Sequence, residues 1–415
     1  MRMPRSLFVI VLLMNVAGCR HIGMEAIEKE SVSVPAPSPF QAALHEALQA
    51  APAHPLIPEL ATAEPARCAV TPTGAALLKW GRDAAEVTTI PATTYTLYRQ
   101  FRATGERGSY QRPYYEKRTL LTREVMAAWL SQDFSRMDRI NDLIWSICEE
   151  TTWVVPAHEK DTWCIDLFSA ETGTTLAHIL YLLGDHLPQE IQDRVRTEVR
   201  ARIFDNYKAH AREFSWNSGR SNWTGVCAGS VGESFLLLED DPGRLEESLS
   251  VVLEQLDRFI NTAFTPDGAS LEGMGYWNYG LSHYVMFGEM LRARTHGAID
   301  LLAQDKIKAI ARYPLSVYLG NELYASFSDD HEHNAIEPYL GTRMAERTGT
   351  TALLGLLGPP QDWVIGGVLR NVLWGDGQKH AVPAPDDVFL AQAGLARLVA
   401  TWAGKPVALA VRAGH

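Results

Sequence analysis

Pro242 to Phe264 reads PGRLEESLSVVLEQLDRFINTAF. Leu249, Val252, Leu253 and Leu256 follow the i, i+3, i+4, i+7 spacing of a helix with one buried face. Turn signals bracket the stretch: Asp241-Pro242-Gly243 before it and Pro266-Asp267-Gly268 after it. The pattern continues in both directions. It predicts helices over Thr122–Asp133, Arg136–Glu150, Glu171–Gly184, Pro188–Phe204, Val226–Glu239, Tyr276–Thr295 and Asp300–Leu319, separated by short Gly, Pro, Asn and Asp breaks. No strand-like alternation is visible before residue 360. Helices joined by short loops predict antiparallel hairpins, and a ring or double layer of hairpins buries every apolar stripe. The expected fold is mainly α, an incomplete α/α toroid. No repeat of fixed period is present, which disfavours a regular solenoid.

The character changes near residue 380. Val388–Thr401 (VFLAQAGLARLVAT) and Pro406–Arg412 (PVALAVR), split by Ala403-Gly404-Lys405, predict a β-hairpin. Two strands alone are marginal in water. The expectation is therefore the start of an antiparallel β-sandwich, cut short at Ala413-Gly414-His415, with a two-stranded appendage as the alternative. The expected organisation is a leader over residues 1–19, an Ala/Pro-rich tether over 20–65 with one short helix from Phe40 to Ala50, a helical body over 66–378, and first β-strands over 379–415.

The leader has a basic start, Arg2 and Arg5, and an apolar run from Leu7 to Met14. That run is far short of the about 20 residues needed to span a bilayer and has the form of an export signal. Val16-Ala17-Gly18-Cys19 resembles a bacterial lipobox. Cys19 is the predicted lipid attachment point, which places the protein outside the cytoplasm, anchored to the bacterial membrane and facing the periplasm or cell exterior. The net charge of −11 argues against a nucleic-acid partner. Of the later cysteines, Cys68, Cys148, Cys164 and Cys227, none forms a CxxC pair. A Cys148–Cys164 disulfide and buried free thiols are both compatible with the spacing.

Four clusters carry possible chemistry. Trp216 to Gly232 (WNSGRSNWTGVCAGSVG) gathers Asn217, Arg220, Asn222 and Trp223 at a helix start. Capping needs only one Asn there, whereas aromatic faces and amides together suit a sugar cleft. Phe264 to Tyr284 (FTPDGASLEGMGYWNYGLSHY) places Tyr276, Tyr279 and His283 on one helix face beside Trp277. Glu272 in the preceding loop reads as a carbohydrate-binding acid or as a cap on the following helix. Phe327 to Tyr339 (FSDDHEHNAIEPY) offers Asp329, Asp330, His331 and His333 as a solvated loop, a cation site, or a cleft loop with His331 as acid or base. Glu149, Glu150, His158, Asp166 and Glu171 read as caps and surface charges, or as the carboxylate pair of a glycoside hydrolase.

The first two clusters, NSGRSNWTGVCAGSVG and DGASLEGMGYWNYG, together resemble the heparinase II/III family of polysaccharide lyases. The run WVVPAHEKDTWCIDLFSAETGTTLA and the ending VALAVRAGH extend the resemblance over roughly residues 120–415. It implies an α/α toroid followed by a β-sandwich, and β-elimination of an acidic, uronic-acid polysaccharide. It further implies that Asn222 neutralises the substrate carboxylate and that Tyr276 acts as base, acid or both. Arg220 and His283 are candidates to lower the phenol's pKa. Asn217, Arg220, Trp223, Glu272, Trp277, Tyr279 and His331 are the expected substrate contacts. No cofactor is expected in the part present, although a divalent metal belongs to the family's β-domain. The chain departs from the family at Trp223, where many members place a His, and His415 is assigned no role. The rival expectations are a glycoside hydrolase and a non-catalytic polysaccharide-binding lipoprotein.

Overall fold

The computed structural model describes residues 40–50, 55–160, 164–328, 330–360, 363–375 and 377–413. The expected leader, Cys19, Asp329 and His415 lie outside the described residues. The helices are α1 (Gln41–Gln49), α2 (Pro65–Ala69), α3 (Pro72–Ala85), α4 (Tyr95–Thr104), α5 (Gly108–Ser131), α6 (Met137–Cys148), α7 (Leu167–Leu183), α8 (Gln189–Val199), α9 (Asp205–His210), α10 (Asn222–Leu238), α11 (Pro242–Thr262), α12 (Met274–Arg294), α13 (Asp305–Val317), α14 (Pro338–Thr348) and α15 (Ile365–Trp374). The strands are β1 (Tyr318–Gly320), β2 (Leu323–Tyr324), β3 (Val388–Leu390), β4 (Leu395–Trp402) and β5 (Lys405–Arg412). The protein is mainly helical with a small antiparallel sheet at its C-terminal end. No described helix is long and apolar enough to cross a membrane.

The helix α10 organises the core. It is apolar on nearly all sides, as a helix surrounded by others must be, and it packs against α7, α11 and α12. Its contact with α12 is close because glycines face it. A Cβ on Gly225 would stand 2.7 Å from the Gly280 carbonyl oxygen, and one on Gly229 would stand 2.8 Å from the His283 carbonyl oxygen. Larger residues at these points would push the helices apart. The quoted helix α11 forms as its sequence predicts: Asp241 caps it by accepting from the Arg244 N–H at 2.8 Å. Leu249, Val252, Leu253 and Leu256 are buried.

Several expectations need correction. Residues 40–50 and 55–65 are not a loose tether. Leu44, Leu48, Leu56 and Ile57 are buried in the core, and Arg294 donates to the Leu48 carbonyl at 3.2 Å. A high Ala and Pro content concealed a few well-placed Leu and Ile. The helix α5 begins at Gly108, well before the expected Thr122, because Tyr110, Tyr114 and Arg118 bury polar tips that find internal partners. A short β1–β2 hairpin stands before residue 360, where no strand was expected. The predicted strand Val388–Thr401 is two strands, broken by a turn in which Gly394 takes φ +59°. The resulting sheet has the order β3-β4-β5. It is docked on the helical body by buried Arg397, which donates to the Leu315 and Tyr318 carbonyls at 2.5 and 2.7 Å. Among the described residues no disulfide joins Cys68, Cys148, Cys164 or Cys227.

Candidate functional site

A groove runs across the ends of α7, α10 and α12. Its first cavity, about 720 Å³, is lined among others by Arg107, His158, Lys160, Asn222, Trp223 and Tyr276. A second, about 360 Å³, is lined by Tyr115, Glu171, Asn278, Ser282 and His283 among others. Both cavities share Phe168 and Tyr279. A third, about 530 Å³, shares Asn278 and Glu337 with the second and reaches His333. The three cavities are neighbours: Phe168 and Tyr279 border both the first and the second, and Asn278 and Glu337 border both the second and the third.

Asn222 opens α10 and is almost fully buried. Its backbone N–H donates to Glu272 at 2.5 Å, and its side-chain Nδ2 donates to the same carboxylate at 3.1 and 3.3 Å. Glu272 therefore caps α10, not the helix that follows it in sequence. An anion at a helix N-terminus satisfies exposed N–H groups and the helix dipole together. Asp330 performs the corresponding job for α12, accepting from the Met274 N–H and, at 3.1 Å, from the Gly275 N–H. That occupation accounts for one member of the expected cation cluster. His331 is exposed and is not among the groove's lining residues. Among the described residues no three His, Cys, Asp or Glu side chains gather as a metal site.

Other expected contacts are structural. Trp277 is fully buried, and its indole N–H donates to the Ile310 carbonyl at 3.0 Å. Asn217 locks the preceding loop to α11: its Oδ1 accepts from Arg258 at 2.8 Å and Gln255 at 3.2 Å. Arg220 is exposed and outside the groove lining. Glu149 pairs with Arg194 at 2.9 Å, and Glu150 lies in a buried ion cluster with Lys117 and Arg118.

Glu171 is the group whose role sequence reasoning undervalued. It is buried on α7, and its Oε1 accepts from the Tyr279 hydroxyl at 2.8 Å and stands 3.1 Å from His283 Nε2. His283 Nδ1 lies 2.9 Å from Ser230 Oγ. Among the described residues Glu171 Oε2 makes no hydrogen bond. Burial pushes the Glu171 carboxyl up to about 8, against the lowering effect of the Tyr279 hydrogen bond. Burial and the neighbouring Glu171 push the Tyr279 phenol well above its ordinary value. The nearest sequence signal was the i, i+4 placement of Tyr279 and His283, but nothing local connects them to Glu171, more than a hundred residues away.

Nothing in these distances depends on known relatives. The chain matches no family model and no curated protein.

A second dyad faces the first cavity. His158 Nδ1 lies 2.9 Å from the Oδ2 of buried Asp166, whose other oxygen caps α7 by accepting from the Ser169 N–H at 2.8 Å. His158 stacks on Phe168 at 5.2 Å and meets Trp223 edge-on at 4.8 Å. A carboxylate on Nδ1 fixes the ring's orientation and directs Nε2 away from it. Phe168, Arg107 and Lys160 were not singled out in the sequence. Phe168 and Lys160 lie inside the run 153–177, which was read only as an extension of the resemblance.

Proposed function

We propose that this protein is a polysaccharide lyase that cleaves an acidic, uronic-acid polysaccharide by β-elimination. In this reading the helices form an α/α toroid and the C-terminal sheet begins a β-sandwich. One observation supports it above the others: Asn222 and Tyr276, the residues to which the resemblance gives the chemistry, line one cavity with Trp223, Arg107 and Lys160. The two cations supply the attraction that a polyanion needs in a chain of net charge −11. Trp223 and Phe168 offer flat apolar surface to sugar rings. The Asn222 amide carries two N–H groups, so a substrate carboxylate either shares it with Glu272 or takes Glu272's place. Tyr276 works at the scissile bond. The lipid at Cys19 holds the exported enzyme at the membrane.

A hydrolase reading has one observation in its favour. Glu171, with its carboxyl pushed up to about 8, carries a proton at neutral pH as a general acid must. One assay separates the readings. Incubation with uronic-acid polysaccharides gives the ultraviolet band of an unsaturated uronate if the protein is a lyase. Reducing ends without the band support a hydrolase, and binding with neither product supports a carbohydrate-binding protein. Tyr276→Phe is expected to lower kcat by about 10²- to 10⁴-fold, the range of a lost acid or base. Full activity in that variant would remove Tyr276 from the chemistry.

A further inference from the structure

Two phenols line the first cavity, Tyr276 and Tyr279, and only Tyr279 also lines the second. They lie on the same helix, α12, one turn apart. Their surroundings differ. Tyr279 donates its only proton to Glu171, a buried carboxyl whose second oxygen has no hydrogen bond among the described residues. Orphaned buried oxygens are costly and rare, and Glu171 keeps one at the wall of a cavity. His283 Nε2 stands 3.1 Å from the same Oε1, and Ser230 Oγ lies 2.9 Å from His283 Nδ1. Glu171 is thus held rigidly behind Tyr279, with a lone pair facing the Tyr279 proton.

We infer that Tyr279 is the base that removes the C5 proton and that Tyr276 protonates the leaving oxygen, with Glu171 taking the phenol proton as Tyr279 acts. The inference rests on the lyase reading above and divides its chemistry between the two tyrosines. The step balances. The C5–H bond breaks and its proton moves to Tyr279 Oη, while the former phenol proton moves to Glu171 Oε1. The C5 electron pair forms the C4=C5 double bond. The C4–O bond breaks, and the departing oxygen takes the Tyr276 proton. Glu171 then loses a proton to solvent and Tyr276 regains one. Glu171 never touches the sugar, so it is a positioning residue that acts through Tyr279.

The groups facing Glu171 set its titration. Tyr279 and His283 approach from α12, Tyr115 from α5 and Cys227 from α10, with Asp166 at the start of its own helix. Of these, Asp166 is a carboxylate, and its charge adds to burial in disfavouring ionisation. Only ionised Glu171 accepts the phenol proton. The rate is therefore low where Glu171 is protonated and rises with pH through about 8.

The test uses the full chain, a uronic-acid polymer, and a second substrate that carries fluoride at C4 of the uronate. Fluoride leaves without an acid. On the polymer, Tyr276→Phe and Tyr279→Phe both lose about 10²- to 10⁴-fold in kcat. On the fluoride substrate, fluoride release recovers in Tyr276→Phe and stays low in Tyr279→Phe. Glu171→Gln keeps the hydrogen-bond acceptor for Tyr279 but cannot take its proton, so kcat falls and the rise near pH 8 disappears while the thermal melt stays cooperative. A polymer-active wild type whose Tyr279→Phe variant keeps its rate, or whose Tyr276→Phe variant alone stays low on the fluoride substrate, overturns this division. A rising limb that persists in Glu171→Gln overturns the role of Glu171. A wild type that forms no unsaturated uronate from any polymer removes the lyase reading itself, and this inference with it.

Discussion

Glu150 and Glu171 are both buried carboxyls, and they behave in opposite ways. Glu150 lies between α6 and the following loop, with Lys117 at 2.9 Å and Arg118 at 2.7 Å. Burial alone would push its carboxyl up, yet Arg118 and Lys117 hold it below the ordinary carboxylate range. Glu171 lies between α7 and α12 with a phenol and an imidazole as partners, and its carboxyl is pushed up to about 8. Burial is common to both. The partner decides whether a buried carboxyl is a permanent charge inside the scaffold or a group that exchanges a proton near neutral pH. The first kind holds α5 to α6, and the second borders the groove.

The comparison breaks most directly at Glu150. Glu150→Gln leaves Lys117 and Arg118 buried without their counter-charge, and the expected cost is about 3–5 kcal/mol, read as a lower urea midpoint at neutral pH. A loss below about 1 kcal/mol would mean that water already shields this cluster.

Glu171 gives an effect with a defined pH dependence. Its folded pKa lies above its unfolded value, so the stability it contributes is fully present below the ordinary carboxylate pKa of 4.5 and is lost as pH rises through about 8. The slope is at most about 1.4 kcal/mol per pH unit. Glu171→Gln flattens this alkaline loss, whereas Glu150, with its lowered pKa, contributes stability that is lost on the acid side. Urea titrations of wild type and Glu171→Gln at acid and alkaline pH compare the two limbs. Parallel curves would show that Glu171 ionises as an ordinary glutamate.

The smallest effect belongs to a carboxylate with no burial at all. Asp83 pairs with Lys79 one helical turn away, at 2.7 Å, on an exposed face of α3. Lys79→Ala is expected to leave the urea midpoint unchanged, because water and salt screen such a pair. A measurable loss would indicate coupling to Arg123 or Arg82, the other cations that act on Asp83.

Legibility in the sequence followed locality. Helix α11 was readable because its caps and its apolar stripe lie within one continuous stretch. The position of Asn222 at the start of α10 was readable for the same reason. Trp223 and Trp277 show the limit. Both occur in aromatic, amide-rich runs, yet Trp223 lines the groove while Trp277 is sealed in the core against Ile310. Their local sequence does not distinguish them, because the difference lies in which distant element covers each ring. Glu272 illustrates the same point: it sits just before α12 in sequence but caps α10, fifty residues earlier.

By itself the sequence determined the helical class, the position of several helices and the change to strands near the C-terminal end. Periodicity and capping act over a few residues, so they are written locally. It also determined that Asn222, Trp223, Tyr276 and Tyr279 occupy helix starts and faces where a cleft could form. Tertiary structure alone decided that Leu44, Leu48, Leu56 and Ile57 belong to the core, that Asn217 and Trp277 are scaffold, and that Glu171 meets Tyr279. These outcomes depend on contacts between segments far apart in the chain. The proton affinity of a carboxyl is set by what surrounds it in space, and for Glu171 that surrounding exists only once α7 and α12 are packed together.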